Sequence, residues 1–222
     1  MRVLELFCGK KSVSNEFKKR GHKVFTIDID LQHDPDLCID ILNFDVSMLP
    51  KEFLEPDVIW SSPPCQKFSV LTIPLYWDNY KRPKSWLTYK HLAIAKKSLE
   101  IIQTLSPKYF FIENPVGMLR KQHFMENIHR NTITYCQYGS QFRKPTDIWT
   151  NAIGWIPKKM CNNGDSCHIT AKRGADTGIQ STSNFDSSIE RAIIPIGLCK
   201  EIVDYCEGKN NIRQEQLECI KR

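Results

Sequence analysis

A cysteine stands directly behind two prolines in the stretch SSPPCQKFS, residues 61–69, at the end of the apolar run 57–62. A free thiol titrates near about 8.5 and is mostly protonated at neutral pH, so it needs help to act as a nucleophile. Most free cysteines are small apolar filler, and Cys65 carries chemistry only if partners accompany it. A second chemical residue is Glu113, in FFIENPVG (110–117). A carboxylate at the mouth of an apolar pocket can hold a proton and donate it. Its neighbours Asn114 and Pro115 also fit a helix cap and first turn. Two more carboxylates, Asp28 and Asp40, end the second and third apolar runs, and Phe7-Cys8-Gly9 follows the first. In nucleotide-binding α/β folds an acid after the second strand accepts hydrogen bonds from ribose hydroxyls.

These residues need elements to hold them. RVLELF (2–7), KVFTIDID (23–30), LCID (37–40), DVIWSS (57–62) and YFFIEN (109–114) read as strands. TITYCQYG (132–139) and TDIWTN (146–151) read as two more. Residues 12–20 read as a helix that Gly21 ends, and residues 89–105 repeat apolar side chains at a helical period. Strand–helix alternation with wholly apolar strands marks a sheet covered on both faces. The expected fold is α/β, a doubly wound, mostly parallel sheet, with ligands beyond the carboxyl ends of its strands. Glu5, Asp28, Asp40, Cys65 and Glu113 all fall at or near such ends.

Three regions are expected. Residues 1–151 form the main α/β domain. Residues 152–188, rich in Asn, Gly, Ser, Thr, Asp and Lys, form a short insertion. Residues 189–222 return as a helix, interrupted by Pro195, and end in a polar tail.

The chain has 222 residues, enough for one sizeable core, and a net charge of +6. That charge permits a polyanionic partner without requiring one. No apolar run is long enough to span a membrane, and no secretory pattern opens the chain. Nine cysteines, an odd number scattered through apolar segments, fit reduced thiols in a cytoplasmic setting rather than a disulfide framework. Cys161, Cys167 and His168 are candidate metal ligands, but structural zinc wants four and no fourth lies nearby, so no metal is expected.

Taken in order, LELFCG, TIDID, CIDIL, DVIWSSPPCQKFS, FFIENPVG, YGSQFRKPTDIWTN (138–151) and AIIPIGLCKEI (192–202) resemble the motifs of the cytosine-5 DNA methyltransferases. The small bacteriophage-encoded members, some of them partners in restriction-modification, are most similar. The resemblance spans most of the chain and implies the Rossmann-like fold of S-adenosylmethionine-dependent methyltransferases. It implies a base flipped from double-stranded DNA. Cys65 attacks carbon 6, Glu113 protonates ring nitrogen 3, Arg143 contacts the cytosine oxygen, and Gln141 supports the catalytic loop. S-adenosyl-L-methionine would lie along Phe7, Cys8 and Gly9, with Asp28 on its ribose, Ile29, Asp40 and Ile41 around its adenine, and Pro64 near the methyl group. The chain is taken as a monomer.

The long stretch 67–88 mixes Phe68, Tyr76, Trp77, Tyr80 and Trp86 with basic residues. In the family it closes over DNA, which makes Lys67, Ser69 and Arg82 candidate DNA contacts. Lys172 and Arg173, in the glycine-rich AKRGADTGIQS (171–181), are the expected base-reading residues. Some positions depart from the family pattern. A lysine replaces a glycine in Gly9-Lys10-Lys11, Lys144-Pro145 replaces a second arginine, and Arg191-Ala192 replaces Gly-Asn. The short insertion keeps a transfer RNA substrate open, and the lysine keeps open a non-catalytic DNA-binding relative.

Overall fold

The computed structural model describes residues 1–169 and 192–209. Seven strands form one sheet: β1 (Arg2–Leu6), β2 (Lys23–Asp28), β3 (Leu37–Cys38), β4 (Val58–Ser61), β5 (Tyr109–Pro115), β6 (Arg130–Thr134) and β7 (Pro145–Thr150). Their spatial order is β3-β2-β1-β4-β5-β7-β6. The pairs from β3 through β5 are parallel, and β7 runs antiparallel between β5 and β6. The order reverses between β1 and β4. Ligand crevices of such sheets open at this reversal, beyond the strands' carboxyl ends.

Side chains on a strand alternate between faces, and both faces here are apolar. Leu4, Leu6, Ile59, Ile112 and Trp149 pack beneath α3 (Trp86–Leu105), with Ile94, Ile101, Ile102 and Leu105 turned inward. Val3, Val58, Trp60, Phe111 and Ile148 face the other way, toward Val13 and Phe17 of α1 (Ser12–Lys19) and Leu198, Ile202 and Val203 of α4 (Ile196–Cys206). Two-sided burial explains why these strands read as continuous apolar runs.

The ends of α1 and α4 are clamped by Arg20. Its guanidinium reaches Glu16 at 3.1 Å, Asp204 at 2.5 Å and Glu207 at 3.0 Å. Lys209, His22 and Arg20 together hold Glu207 down at about 2. At Gly197, a Cβ would sit 2.6 Å from the carbonyl oxygen of Tyr138, so α4 packs there only as glycine.

Three expectations are adjusted. The run 132–139 is a strand only to Thr134. A 3-10 turn, Tyr135–Tyr138, follows and ends at Gly139 with φ 96°. Helix α3 begins at Trp86, a turn earlier than its apolar period, because the Ser85 side chain accepts from Thr88 N. The stretch 67–88 contains a short helix, α2 (Ile73–Tyr76), and its Phe68 and Trp77 are buried. Residues 152–169 form no helix or strand, yet Trp155 packs edge-on against Phe111 at 5.8 Å and donates to Glu201. Lys172, Arg173 and most of the expected recognition region lie outside the described residues. Among the described residues no helix is long and apolar enough to cross a membrane.

Candidate active site

Parallel pairing of β4 and β5 sets Ser61 opposite Ile112. Ser62-Pro63-Pro64-Cys65 leave β4, and Glu113-Asn114-Pro115 are the last residues of the neighbouring strand β5, so the thiol and the carboxylate sit on neighbouring strand ends. The buried side chain of Asn114 donates from Nδ2 to the Pro63 carbonyl at 2.9 Å and ties the two segments together. Here Asn114 continues β5 and caps no helix.

Cys65 is half-buried and opens a turn in which its carbonyl accepts from Phe68 N at 2.9 Å and Ser69 N at 3.1 Å. Phe68 then anchors the loop: its ring lies between Trp77 and His91, and its carbonyl accepts from Met118 N at 2.7 Å. A Cβ on Gly117 would lie 1.9 Å from that carbonyl oxygen. Only glycine lets these two backbones meet. Trp77 Nε1 donates to the Lys67 carbonyl at 2.5 Å. The rigidity of the cysteine thus comes from both sides, prolines before it and buried aromatics behind it.

Glu113 is 6% exposed. Its Oε1 accepts from the Tyr135 hydroxyl at 2.6 Å and lies 3.6 Å from Lys144 Nζ. Lys144 also stands over the Tyr135 ring at 4.5 Å. Burial, then the Glu113 charge and hydrogen bond, push the Tyr135 hydroxyl well above the usual phenol range, and the Cys65 charge adds to this. Tyr135 therefore feels both candidate catalytic groups and stays a donor. It was hidden in an apparent strand, and Lys144 looked only like a missing arginine.

Arg143 is half-buried. Its Nε and Nη2 donate to the Cys161 carbonyl at 3.3 and 3.2 Å. Gln141 exposes its side chain, and its carbonyl accepts from Ile169 N at 2.9 Å. Gln141 also lines an open groove of about 580 Å³ with Lys10, Ser12, Gly139, Ile194 and Pro195.

A second pocket collects Phe7, Asp28, Ile29, Asp40, Ile41 and Pro64, six of the eight expected cofactor residues, together with Ile94 and Lys90. Cys8 and Gly9 stand behind it. Gly9 N donates to Asp28 Oδ2 at 2.9 Å, while burial pushes the Cys8 thiol up to about 12. Leu42 N and Lys90 hold Asp40 below the usual carboxylate range. Lys90, 3.1 Å from Asp40, is the pocket residue that sequence reasoning missed, since it reads as one more lysine on a helix face. The pocket walls are mostly apolar, and Asp28 and Asp40 are the carboxylates in its lining. At the position of the family pattern's second glycine Lys11 keeps a left-handed φ of 55°. The backbone demanded by the motif survives, and the lysine side chain turns away to Asp34.

Of the expected DNA contacts, Lys67 lies over Tyr76 at 3.7 Å and Ser69 bridges to Gly117. Arg82 is exposed and pairs with Asp78 at 2.8 Å. Tyr80 in the loop and Trp86 at the start of α3 are 78% and 75% exposed, so two aromatics remain available outside the core. Glu5, also at a strand end, is no site residue: it is buried and accepts from Ser14 N at 3.0 Å.

A family model described as C-5 cytosine-specific DNA methylase matches residues 1–140. A protein of Frog virus 3 (isolate Goorha), named "Probable DNA (cytosine-5)-methyltransferase", is 32% identical over 226 residues, covering 93% of this chain and 100% of that protein. Among solved structures, Entamoeba histolytica methyltransferase EhMeth is 14% identical with a TM-score of 0.48, over 72% of this chain and 56% of that one. S. pombe Dnmt2 methyltransferase is 18% identical with a TM-score of 0.43, over 68% and 48%. The chain spans about half the length of these solved structures.

Proposed function

The chain belongs to the C-5 cytosine-specific DNA methylases, a family of methyltransferase enzymes, and from that membership we propose that it methylates carbon 5 of cytosine in double-stranded DNA through a covalent adduct at Cys65. The observation that carries this reading is the tie between the Cys65 and Glu113 segments, made by Asn114 and Pro63 across adjacent strand ends.

The base must leave the stack for a thiol to reach its ring. The thiolate of Cys65 adds to carbon 6, and the displaced electron pair moves through the ring to nitrogen 3, which takes the Glu113 proton. Carbon 5 is then nucleophilic. S-adenosylmethionine, when bound, supplies the electrophilic methyl group. Loss of the carbon 5 proton to solvent re-forms the carbon 5–carbon 6 double bond and expels the Cys65 thiolate, and nitrogen 3 returns its proton to the Glu113 carboxylate. Tyr135 and Lys144 hold the Glu113 carboxyl in place, and Arg143, adjoining Lys144, is the group assigned to the cytosine oxygen. Rigid loops matter because a near-contact attack loses rate steeply with small displacements.

In the second pocket Asp28 would hold the ribose hydroxyls of the cofactor and Asp40 its adenine amino group, and Ile29 and Ile41 would flank the adenine ring. Lys67, Ser69 and Arg82 face the DNA backbone, and the region 152–188 reads bases through Lys172 and Arg173.

The test is methyl transfer from labelled S-adenosylmethionine to mixed-sequence duplex DNA, with base-resolution sequencing of the product. Label on carbon 5 of cytosine that disappears with Cys65→Ser supports the reading. Label on another base, or on cytosine in the Cys65→Ser variant, refutes it.

A further inference from the structure

The fold brings a fourth donor to the three candidate ligands found in the sequence. Cys136, in the 3-10 turn after β6, joins Cys161, Cys167 and His168, and the four ligand atoms all lie within 4.8 Å of one another. The expectation of no metal rested on a fourth ligand being absent nearby; it is 25 residues before Cys161 in the chain, at a sulfur–sulfur distance of 3.2 Å.

We propose that Cys136, Cys161, Cys167 and His168 bind one structural zinc ion.

Three of the four donor spacings fit that ion, and the fourth, Cys136 to Cys161 at 3.2 Å, lies about 0.6 Å inside the ideal sulfur–sulfur edge. Tetrahedral zinc with Zn–S arms of about 2.3 Å and a Zn–N arm of about 2.05 Å has edges of about 3.8 Å between sulfurs and about 3.5 Å from sulfur to nitrogen. Cys136 and Cys167 are 3.7 Å apart, Cys161 and His168 Nδ1 3.8 Å, and Cys167 and His168 Nδ1 3.4 Å. A disulfide would join two sulfurs and leave the third thiol and the imidazole without purpose. Here all four converge.

Two further observations point to an ion. His168 is buried, its Nδ1 faces thiols, and its Nε2 has no hydrogen-bond partner among the described residues. A buried imidazole whose Nδ1 faces two thiols is placed as a ligand beside them. In addition, the amide of Gln137 donates to Cys167 Sγ at 3.3 Å and Thr134 Oγ1 accepts from Cys161 N at 3.1 Å. Outer contacts of this kind orient thiolate ligands in metal sites. Adjacent Cys167 and His168 share the ion because a turn at Gly164, closed by Asp165 on Asn162 N, brings the chain back on itself.

Four protein donors leave no open position, which marks a structural rather than a catalytic ion. Its place explains what it would organise. Residue 135, beside one ligand, bonds Glu113, and the carbonyl of another ligand residue, Cys161, holds Arg143. The ion would staple residues 160–169 onto the 134–143 segment. The metal assignment itself stands apart from the proposed methyl transfer.

The experiment is elemental analysis of the full chain, purified under reducing conditions, together with cobalt substitution. We expect about one zinc per chain, released when thiols are modified, and a cobalt form with thiolate charge-transfer bands and tetrahedral visible bands. Cys136→Ser and Cys167→Ser should lose the ion, while Cys38→Ser, at an exposed thiol outside the cluster, should keep it. If the cluster variants fail to fold, the wild-type zinc content and cobalt spectrum decide. Zinc-free wild-type protein with no thiolate–cobalt bands, a Cys136–Cys161 disulfide in the reduced preparation, or full zinc in folded Cys136→Ser would overturn the proposal.

Discussion

Two thiol sites in this chain use the same residue in opposite ways. Cys65 stands alone in a contiguous motif, held by Pro63 and Pro64 in front and by buried Phe68 and Trp77 behind. The cluster of Cys136, Cys161 and Cys167 is gathered from separate segments, and its thiols face one another. One arrangement presents a single thiol beside a carboxylate; the other turns three thiols and an imidazole inward. A third group, Cys8, Cys199 and Cys206, is buried, the last two within the apolar core, and burial pushes each thiol up, Cys8 and Cys206 to about 12. The difference teaches that neighbours, not residue type, assign a cysteine its chemistry.

The comparison can be broken in several ways. The largest effect should come from Cys65→Ser, with methyl transfer falling by ~10⁴-fold or more, as when a nucleophile is removed from a concerted set. Zinc content should not change. Loss of zinc with Cys65→Ser would merge the two sites into one. Next, Glu113→Gln should cost about 10²–10⁴-fold in kcat, the range of a general acid, with cofactor affinity preserved. Isothermal titration with S-adenosylhomocysteine checks the second half, because Glu113 does not line the pocket of Asp28, Asp40 and Pro64.

A pH test separates buried carboxylates that work from those that only pack. Glu5 is raised from 4.5 to about 7, chiefly by burial. Between these values the folded state binds more protons than the unfolded chain, so its contribution is full below 4.5 and lost as pH rises through 7. Glu5→Gln should therefore gain stability relative to wild type across that window and hold a gain of a few kcal/mol above it, at about 1.4 kcal/mol per unit. Urea melts at several pH values measure it; a constant difference would refute the burial argument.

Tyr135→Phe sharpens the comparison where the two sites touch. It removes one buried bond to Glu113 and should lower kcat by about tenfold, the worth of a hydrogen bond to a charged group. The zinc bound by its neighbour Cys136 should stay. The smallest effect belongs to Lys11→Gly, which relieves a left-handed φ at a cost in unfolded-state entropy, and should change stability by less than about 1 kcal/mol.

The candidate site residues stood out in the sequence because they lie in short contiguous stretches at strand ends. Strand ends show in a sequence as apolar runs that stop at Asp28, Asp40, Pro63 or Glu113. The pocket brought six of eight expected residues together for this reason. What escaped notice lay on other elements: Lys90 on a helix face, Tyr135 inside an apparent strand, and Cys136 as one more cysteine in an apolar run. Arg143 was visible by motif, but its partner, the Cys161 carbonyl, carries no side-chain signal.

By itself the sequence determined the alternating α/β order, the strand ends and the residues standing on them, because local periodicity and turn chemistry are written in neighbouring positions. It also determined that Cys65 is stiffly placed, since proline restricts its own backbone and the residue before it. Only the tertiary structure decided that β7 enters antiparallel between β5 and β6, and that this sheet edge carries Tyr135 to Glu113 and Cys136 to three distant donors. Such meetings depend on how far loops fold back and which faces pack, and contacts between residues far apart in the chain leave no periodicity to read.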